Sequence, residues 1–126
     1  MSGSYSRDVE IVFADEELEA VRAILEEEGA EQVSEVEESD LLPAVAIVIA
    51  ASIALIALCN IVIKLSRLWA CGVVVDARGT IIHTEKNCDL PRGDVLVFSQ
   101  DGTKHTLHEP KEADLRSVIE AAVGGA

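Results

Sequence analysis

Five side chains in the C-terminal half of the chain are of types that bind transition metals. Structural zinc sites usually pair their ligands at a short spacing such as C-x₂₋₄-C, and no such pair occurs here. His105 and His108 are three residues apart in a predicted strand, so their side chains point to opposite faces. The remaining candidates are Cys71, His83 and Cys88. We therefore predict no metal site and no cofactor.

No catalytic motif is recognisable. The chain lacks G-x-S-x-G, and no cysteine stands in an activating setting. Asp76, Asp89 and Asp94 lie near predicted turns, where carboxylates ordinarily accept local backbone hydrogen bonds. The glycines are scattered among turns and do not form a phosphate-binding loop. We predict that the protein is not an enzyme.

The charge of the chain is strongly negative and unevenly distributed. The formal net charge is −13, and residues 1–40 hold 14 acidic but only 2 basic side chains. Such a chain repels nucleic acid and anionic lipid alike, so we predict no nucleic-acid partner. The acidic surface either keeps an exposed helix in solution or recognises a basic partner.

An uncharged apolar run of 23 residues, Leu41–Ile63, lies in the middle of the chain. A helix of this length spans about 34 Å at about 1.5 Å per residue, which is enough to cross a hydrocarbon core of about 30 Å. Inside lipid, a helix satisfies every backbone polar group within the segment. The run predicts a transmembrane helix over residues 41–65. A helix buried in protein is the alternative.

Small side chains recur along this predicted helix. Spacings of four, four and three residues place Ala46, Ala50, Ala54 and Ala57 on one stripe, which a neighbouring helix could approach closely. Asn60 would add a hydrogen bond between helices. These five residues are our predicted helix–helix interface, and they favour a homo-oligomer.

The end of the apolar run carries residues typical of a membrane interface. Lys64 and Arg67 follow it directly, and Trp69 lies at interfacial depth, so we predict these three as membrane-interface anchors. Basic flanks favour the cytoplasmic side. We therefore predict a single-pass protein of the cell membrane that contacts lipid and has a cytoplasmic C-terminal domain. The three irregularly spaced cysteines are expected to be free thiols in a reducing compartment.

The polar parts of the chain predict a small α+β domain. Apolar residues alternate over Val9–Phe13, which indicates a strand with one buried face, and a helix follows that ends near Gly29. Residues 31–38 are either a second strand or an acidic linker. Further along we predict two hairpins and a closing helix, over 72–77 with 80–85, 94–99 with 103–108, and 110–122.

Together these elements predict a small antiparallel sheet with flanking helices, like a ferredoxin-type sandwich, plus the transmembrane helix. The predicted organisation is a flexible N-terminus (1–7), an acidic strand–helix segment (8–40), the transmembrane helix (41–65) and a small α+β domain (70–126). The sequence leaves open whether the first strand joins the C-terminal sheet. If the first strand joins the C-terminal sheet, the two parts lie on one side and a single crossing is impossible.

The order of elements also suggests a family. The relevant pieces are Val9–Phe13, Glu16–Glu28, Leu42–Ile63, Lys64–Trp69, Val95–Gly102 and Ala113–Ala122. In these the chain resembles the effector-associated constant component family of actinobacterial conflict systems, from which it departs in an extra hairpin around 71–92. The resemblance implies an accessory protein encoded beside effector proteases or nucleotide-dependent switches, with no catalytic motif.

We therefore predict a non-enzymatic, single-pass membrane accessory protein that binds protein partners. Two alternatives stay open. The protein could be an oligomerising pore former that perturbs membranes through the alanine face. It could instead be a soluble homo-oligomeric scaffold with the hydrophobic helix as its core.

Overall fold

A computed structural model describes residues 8–38, 44–49 and 55–124. Within these residues the chain forms an α+β fold of three α-helices and one seven-stranded mixed sheet. The elements in order are β1 (Val9–Ala14), a 3₁₀ turn (Asp15–Glu17), α1 (Leu18–Glu27), β2 (Gln32–Glu38), β3 (Ala44–Ile49), α2 (Leu55–Trp69), β4 (Gly72–Asp76), β5 (Ile82–Asn87), β6 (Asp94–Phe98), β7 (Lys104–His108) and α3 (Glu112–Gly124).

The sheet joins the N-terminal and C-terminal parts of the chain. Its strand order is β2-β3-β1-β5-β4-β6-β7, with parallel pairs β1/β5 and β4/β6 and antiparallel pairs elsewhere. β1 pairs with β5 so that Val9 lies opposite Ile82. The segment at 31–38 forms an edge strand, β2, and is not a linker. The predicted small antiparallel sheet is therefore wrong, because the sheet is larger and mixed.

The apolar run is divided between a strand and a helix. Residues 44–49 form β3 between β2 and β1, and α2 begins at Leu55. No helix among the described residues has the length and apolarity needed to cross a membrane. The 15 residues of α2 reach about 22 Å, short of the roughly 30 Å of a hydrocarbon core. The predictions of a transmembrane helix over 41–65, a single-pass membrane protein and a cell-membrane location are wrong.

β3 explains why this run resembles a membrane segment. Val45, Ile47 and Ile49 are buried against the helices, and Ala46, on the other face of the strand, is also only 3% exposed. Because β3 carries apolar residues on both faces, it shows no polar alternation, and a short apolar run of this kind cannot be distinguished from a buried helix by periodicity.

The core lies between the sheet and one layer of helices. α2 packs against α1 on one side and α3 on the other, and it also contacts β4 and β5. Leu58, Ile61 and Leu65 of α2 are fully buried. Each such side chain contributes about 1.5–3 kcal/mol by leaving water. Residues 44–49 of the predicted membrane helix thus form a sheet strand, and residues 55–65 belong to the central helix of the core.

A disulfide links Cys71 to Cys88, with Cα atoms 4.8 Å apart. The antiparallel pairing of β4 with β5 sets Gly72 opposite Asn87, which brings the two flanking cysteines together. Cys59 is free and buried, and burial raises the pKa of its thiol to about 12. The expectation of three free thiols is therefore wrong for Cys71 and Cys88.

Candidate functional site

A cavity of about 670 Å³ opens beside the C-terminal half of α2. Its other walls are the turn that precedes β6 and the segment that leads into α3. Its volume lies within the range of about 300–1,000 Å³ that is typical of ligand pockets. We call it the α2–α3 pocket.

One face of α2 forms the first wall of the pocket. Asn60, Lys64 and Arg67 are spaced by four and three residues, which places them on the same side of a helix, and all three line the cavity. Their types and spacing predicted an oligomer interface at Asn60 and membrane anchors at Lys64 and Arg67. The structure brings them together on a pocket of the folded domain.

Lys64 binds two carboxylates at the end of α1. Its Nζ donates to Glu27 Oε1 and to Glu28 Oε2, each at 2.7 Å. These hydrogen bonds raise the pKa of Lys64. Asn60 Nδ2 also donates weakly to Glu28 Oε1, at 3.4 Å. Both side chains therefore hold α1 against α2 at the edge of the pocket.

Three further cations line the pocket without forming such ion pairs. Arg67, Arg92 and Lys111 have no carboxylate within ion-pair distance among the described residues. Of the two acidic residues in the lining, Glu112 has Oε2 3.4 Å from Arg116 Nε, one turn further along α3. Glu109 is the remaining carboxylate. The three cations without an ion pair outnumber this one carboxylate, so the pocket is positive although the chain has a net charge of −13.

The two loops that carry Arg92 and Lys111 are fixed to each other. Glu109 N–H donates to Gly93 O at 3.2 Å. Gly93 has φ +91°, and a Cβ there would come within 2.7 Å of Glu109 Cγ, so only glycine lets that side chain cross it. Glu109 itself has φ +44°, a conformation that costs a non-glycine residue about 1–2 kcal/mol. The packing of the two loops maintains this backbone geometry.

The disulfide supports the same wall. The Cys71–Cys88 bond ties the turn before β6 to the end of α2. Gly72 N–H donates to Leu90 O at 3.2 Å, and a Cβ on Gly72 would come within 2.3 Å of Leu90 Cβ. The turn that presents Arg92 is therefore held by a covalent bond, a hydrogen bond and close packing.

The other residues predicted as site residues are dispersed. Ala46 lies in β3 and Ala57 in α2, so the alanines do not share one helix. Ala50 and Ala54 lie outside the described residues. Trp69 is 4% exposed and belongs to the core, and its indole Nε1 has no hydrogen-bond partner among the described residues. It has the burial of a packing residue.

The opposite, open face of the sheet carries a second group of charged side chains. His83 Nδ1 lies 2.8 Å from Glu10 Oε1, and its Nε2 lies 2.5 Å from Glu85 Oε1. Partial burial of the ring disfavours its charged form, but the two carboxylates outweigh this and raise the pKa of His83. Nearby, Arg78 Nη2 donates to Asp76 Oδ2 at 2.8 Å, which lowers the pKa of Asp76.

Within the described residues, no group of three or more His, Cys, Asp and Glu side chains could hold a metal ion. His83 binds the two glutamates of the open face. His108 Nδ1 lies 3.0 Å from Asp94 Oδ2 at the end of the sheet.

The second and third walls of the pocket were not predicted from the sequence. Arg92, Gly93 and Glu109 were not among the predicted site residues, and neither was Lys111. The turn chemistry of Leu90–Gly93 and the proline at 110 marked both loops. No signal in the sequence indicated that these two turns meet beside α2.

The chain matches no protein-family model, no curated protein and no solved structure. The resemblance to the effector-associated constant component family stays a prediction.

Proposed function

We propose that the protein is a non-enzymatic accessory protein that binds a protein partner at the α2–α3 pocket. The observation that carries this proposal is a preformed cavity with both apolar and charged lining. Ile63 and Pro110 supply apolar surface, and the basic side chains stand beside them. Binding sites for peptides and ligands commonly combine an apolar surface with a few polar groups that fix orientation.

The lining favours binding over catalysis. Its ionisable side chains are those of Lys, Arg and Glu. Among the described residues, the hydroxyl in the lining belongs to Ser66, and it donates to Ile63 O at 2.7 Å within its own helix. Nucleophilic catalysis needs a hydroxyl or thiol activated by a neighbouring base, whereas the Ser66 hydroxyl donates to a backbone carbonyl.

A protein partner is favoured over a small metabolite for two reasons. Arginine is enriched at protein interfaces, and two of the pocket's cations are arginines. The resemblance to a family of accessory proteins in conflict systems also implies a protein partner, an effector protease or a nucleotide-dependent switch. Both point to a segment of another chain entering the pocket.

A peptide selection tests this proposal without presupposing the partner. A phage library of random dodecapeptides is selected on the wild-type protein, and each selected peptide is then measured on two variants. Asn60→Trp fills the pocket without changing its charge. Thr106→Trp adds the same side chain to an exposed position on β7, away from the pocket. We expect Asn60→Trp to weaken binding about tenfold or more and Thr106→Trp to leave it unchanged.

Equal binding to the wild type and Asn60→Trp would contradict the proposal, as would equal losses in the two variants. Circular dichroism of each variant serves as the folding control. If Asn60→Trp fails to fold, Asn60→Phe takes its place.

A further inference from the structure

We infer that the α2–α3 pocket receives an oxyanion carried by the partner, held by Arg67, Arg92 and Lys111. This inference rests on the proposed function and names the chemistry of the group that enters the site. The α2–α3 pocket is lined by four of the ten Lys and Arg residues of the chain. Three of them have no acidic partner among the described residues, although acidic residues outnumber basic ones by 23 to 10.

The lining holds four cations and two carboxylates. Lys64 is bound by Glu27 and Glu28, whose two charges exceed its own by one. Glu112 Oε2 lies 3.4 Å from Arg116 Nε, within ion-pair distance, but has no hydrogen-bond partner among the described residues. Glu109 lies across Gly93 and opposes the three free cations with a single charge. An incoming anion therefore meets a net positive site.

The geometry of the cations suits carboxylate or phosphate. A guanidinium presents parallel N–H donors that match two oxygens of either group, and such charge-assisted bonds are roughly twice as strong as neutral ones. The pocket also lies at the start of α3, a helix of 13 residues. That end of a helix favours negative charge, which Glu112 and Asp114 of the first turn already supply, so the arginines and Lys111 are the donors that remain for an incoming anion.

The apolar part of the lining favours acidic side chains as the natural source. Ile63 and Pro110 are partly exposed in the same cavity as the cations. A segment in which acidic and apolar residues alternate would satisfy both kinds of surface at once. Phosphorylated residues share the oxyanion chemistry, and the experiment separates the two sources.

The test uses fluorescence anisotropy with three labelled peptides of one design. In the first, glutamate alternates with leucine. In the second, glutamine replaces every glutamate, and in the third, phosphoserine replaces every glutamate. Each is titrated with the wild type and with two double variants. Arg67→Gln/Arg92→Gln removes two cations from the pocket, and Arg78→Gln/Lys104→Gln removes two from the open side of the sheet.

We expect the wild type to bind the glutamate peptide about tenfold more tightly than the glutamine peptide. Arg67→Gln/Arg92→Gln should abolish that preference, whereas Arg78→Gln/Lys104→Gln should retain it. Added salt should weaken the glutamate peptide more than the glutamine peptide, because exposed charges are screened. Binding of the phosphoserine peptide more tightly than the glutamate peptide would assign the oxyanion to a phosphorylated partner.

Two results would overturn the inference. The first is equal affinity of the wild type for the glutamate, glutamine and phosphoserine peptides. The second is an equal loss of preference in the two double variants. These differ from failure of the proposed function. If library peptides still lose affinity in Asn60→Trp but the glutamate, glutamine and phosphoserine peptides bind equally well, the pocket binds a partner and the inference of an oxyanion is wrong. If no library peptide responds to Asn60→Trp, the proposed function itself is wrong.

Discussion

The α2–α3 pocket and the open face of the sheet differ in whether their cationic side chains have carboxylate partners. On the open face, Arg78 is bound to Asp76 and its guanidinium lies 4.2 Å from the centre of the Phe98 ring. His83 is held between two glutamates. In the pocket, Arg67 and Arg92 have no acidic partner among the described residues.

This difference distinguishes charges that support the fold from charges available to a ligand. Carboxylates are plentiful in this chain, and Arg78 and Lys86 each form an ion pair with one. Among the described residues, Arg67, Arg92 and Lys111 form no ion pair and line one cavity, whereas Lys104 on β7 is unpaired without a cavity beside it.

The largest effect is expected in the core. Ile47 and Val48 are neighbours in β3, but Ile47 faces the helices and is fully buried, whereas Val48 lies half-buried on the open face. Ile47→Ala should lower the free energy of unfolding by about 2–5 kcal/mol, and Val48→Ala by about 1 kcal/mol or less. Urea unfolding measures both. Similar losses would contradict the assignment of the two faces.

Removal of the disulfide should have the next largest effect. Cys71 and Cys88 are 17 residues apart, and a closed loop of that size stabilises a fold by about 3 kcal/mol in the chain-entropy view. Cys71→Ser/Cys88→Ser should therefore unfold at lower urea concentration. It should also weaken binding of the glutamate peptide, because the freed turn carries Arg92. Undiminished peptide affinity in a folded variant would show that the disulfide does not support the pocket.

Two glycines provide a matched test of the pocket wall. Gly93 and Gly102 have φ of +91° and +89°, but a Cβ would meet another side chain, that of Glu109, only at Gly93. Each change to alanine should cost about 1–2 kcal/mol for the backbone conformation. Gly93→Ala should cost more than Gly102→Ala and should alone weaken peptide binding. Equal effects on stability and on peptide affinity would exclude a role for the Gly93–Glu109 contact.

The smallest effect is a pH dependence confined to the open face. The pKa of His83 is raised in the folded state by Glu10 and Glu85, with Asp76 nearby. The resulting stabilisation is fully present below the unfolded pKa of about 6.5 and is lost as pH rises through the higher folded pKa. The stability difference between wild type and His83→Gln should shrink from pH 5.5 to pH 8. A difference that is constant with pH would contradict this assignment.

Local features of the fold could be predicted from the sequence because each depends on a few adjacent residues. The alternation at Val9–Phe13 predicted β1, and Asp101-Gly102 predicted the turn between β6 and β7. Gly102 has the positive φ that this turn requires. Pro110 correctly marked the approach to α3.

The division of the apolar run could not be predicted in this way. Periodicity separates a strand from a helix only when one face is polar, and Val45–Ile49 has no charged or strongly polar residue on either face. The β-branched residues of this segment were the available signal for a strand. The pairing of β1 with both β3 and β5 is a long-range property that excludes a single membrane crossing.

The α2 wall of the pocket could be predicted from the sequence, but its two loops could not. Helical spacing placed Asn60, Lys64 and Arg67 on one face of a helix, although it predicted a different function for them. Arg92 and Lys111 come from separate turns, and their convergence beside α2 depends on the order of strands in the sheet. Such convergence is a tertiary property that no local pattern contains.

The most direct test of an anion-binding pocket is to record amide chemical shifts of the ¹⁵N-labelled protein while the glutamate peptide is added. We expect the largest changes at the backbone amides of residues 92, 93, 109, 111 and 112, with Arg67 on the facing helix, and little change around His83 and Phe98. Changes concentrated on the open face of the sheet, with the pocket amides unmoved, would contradict the assignment of the site.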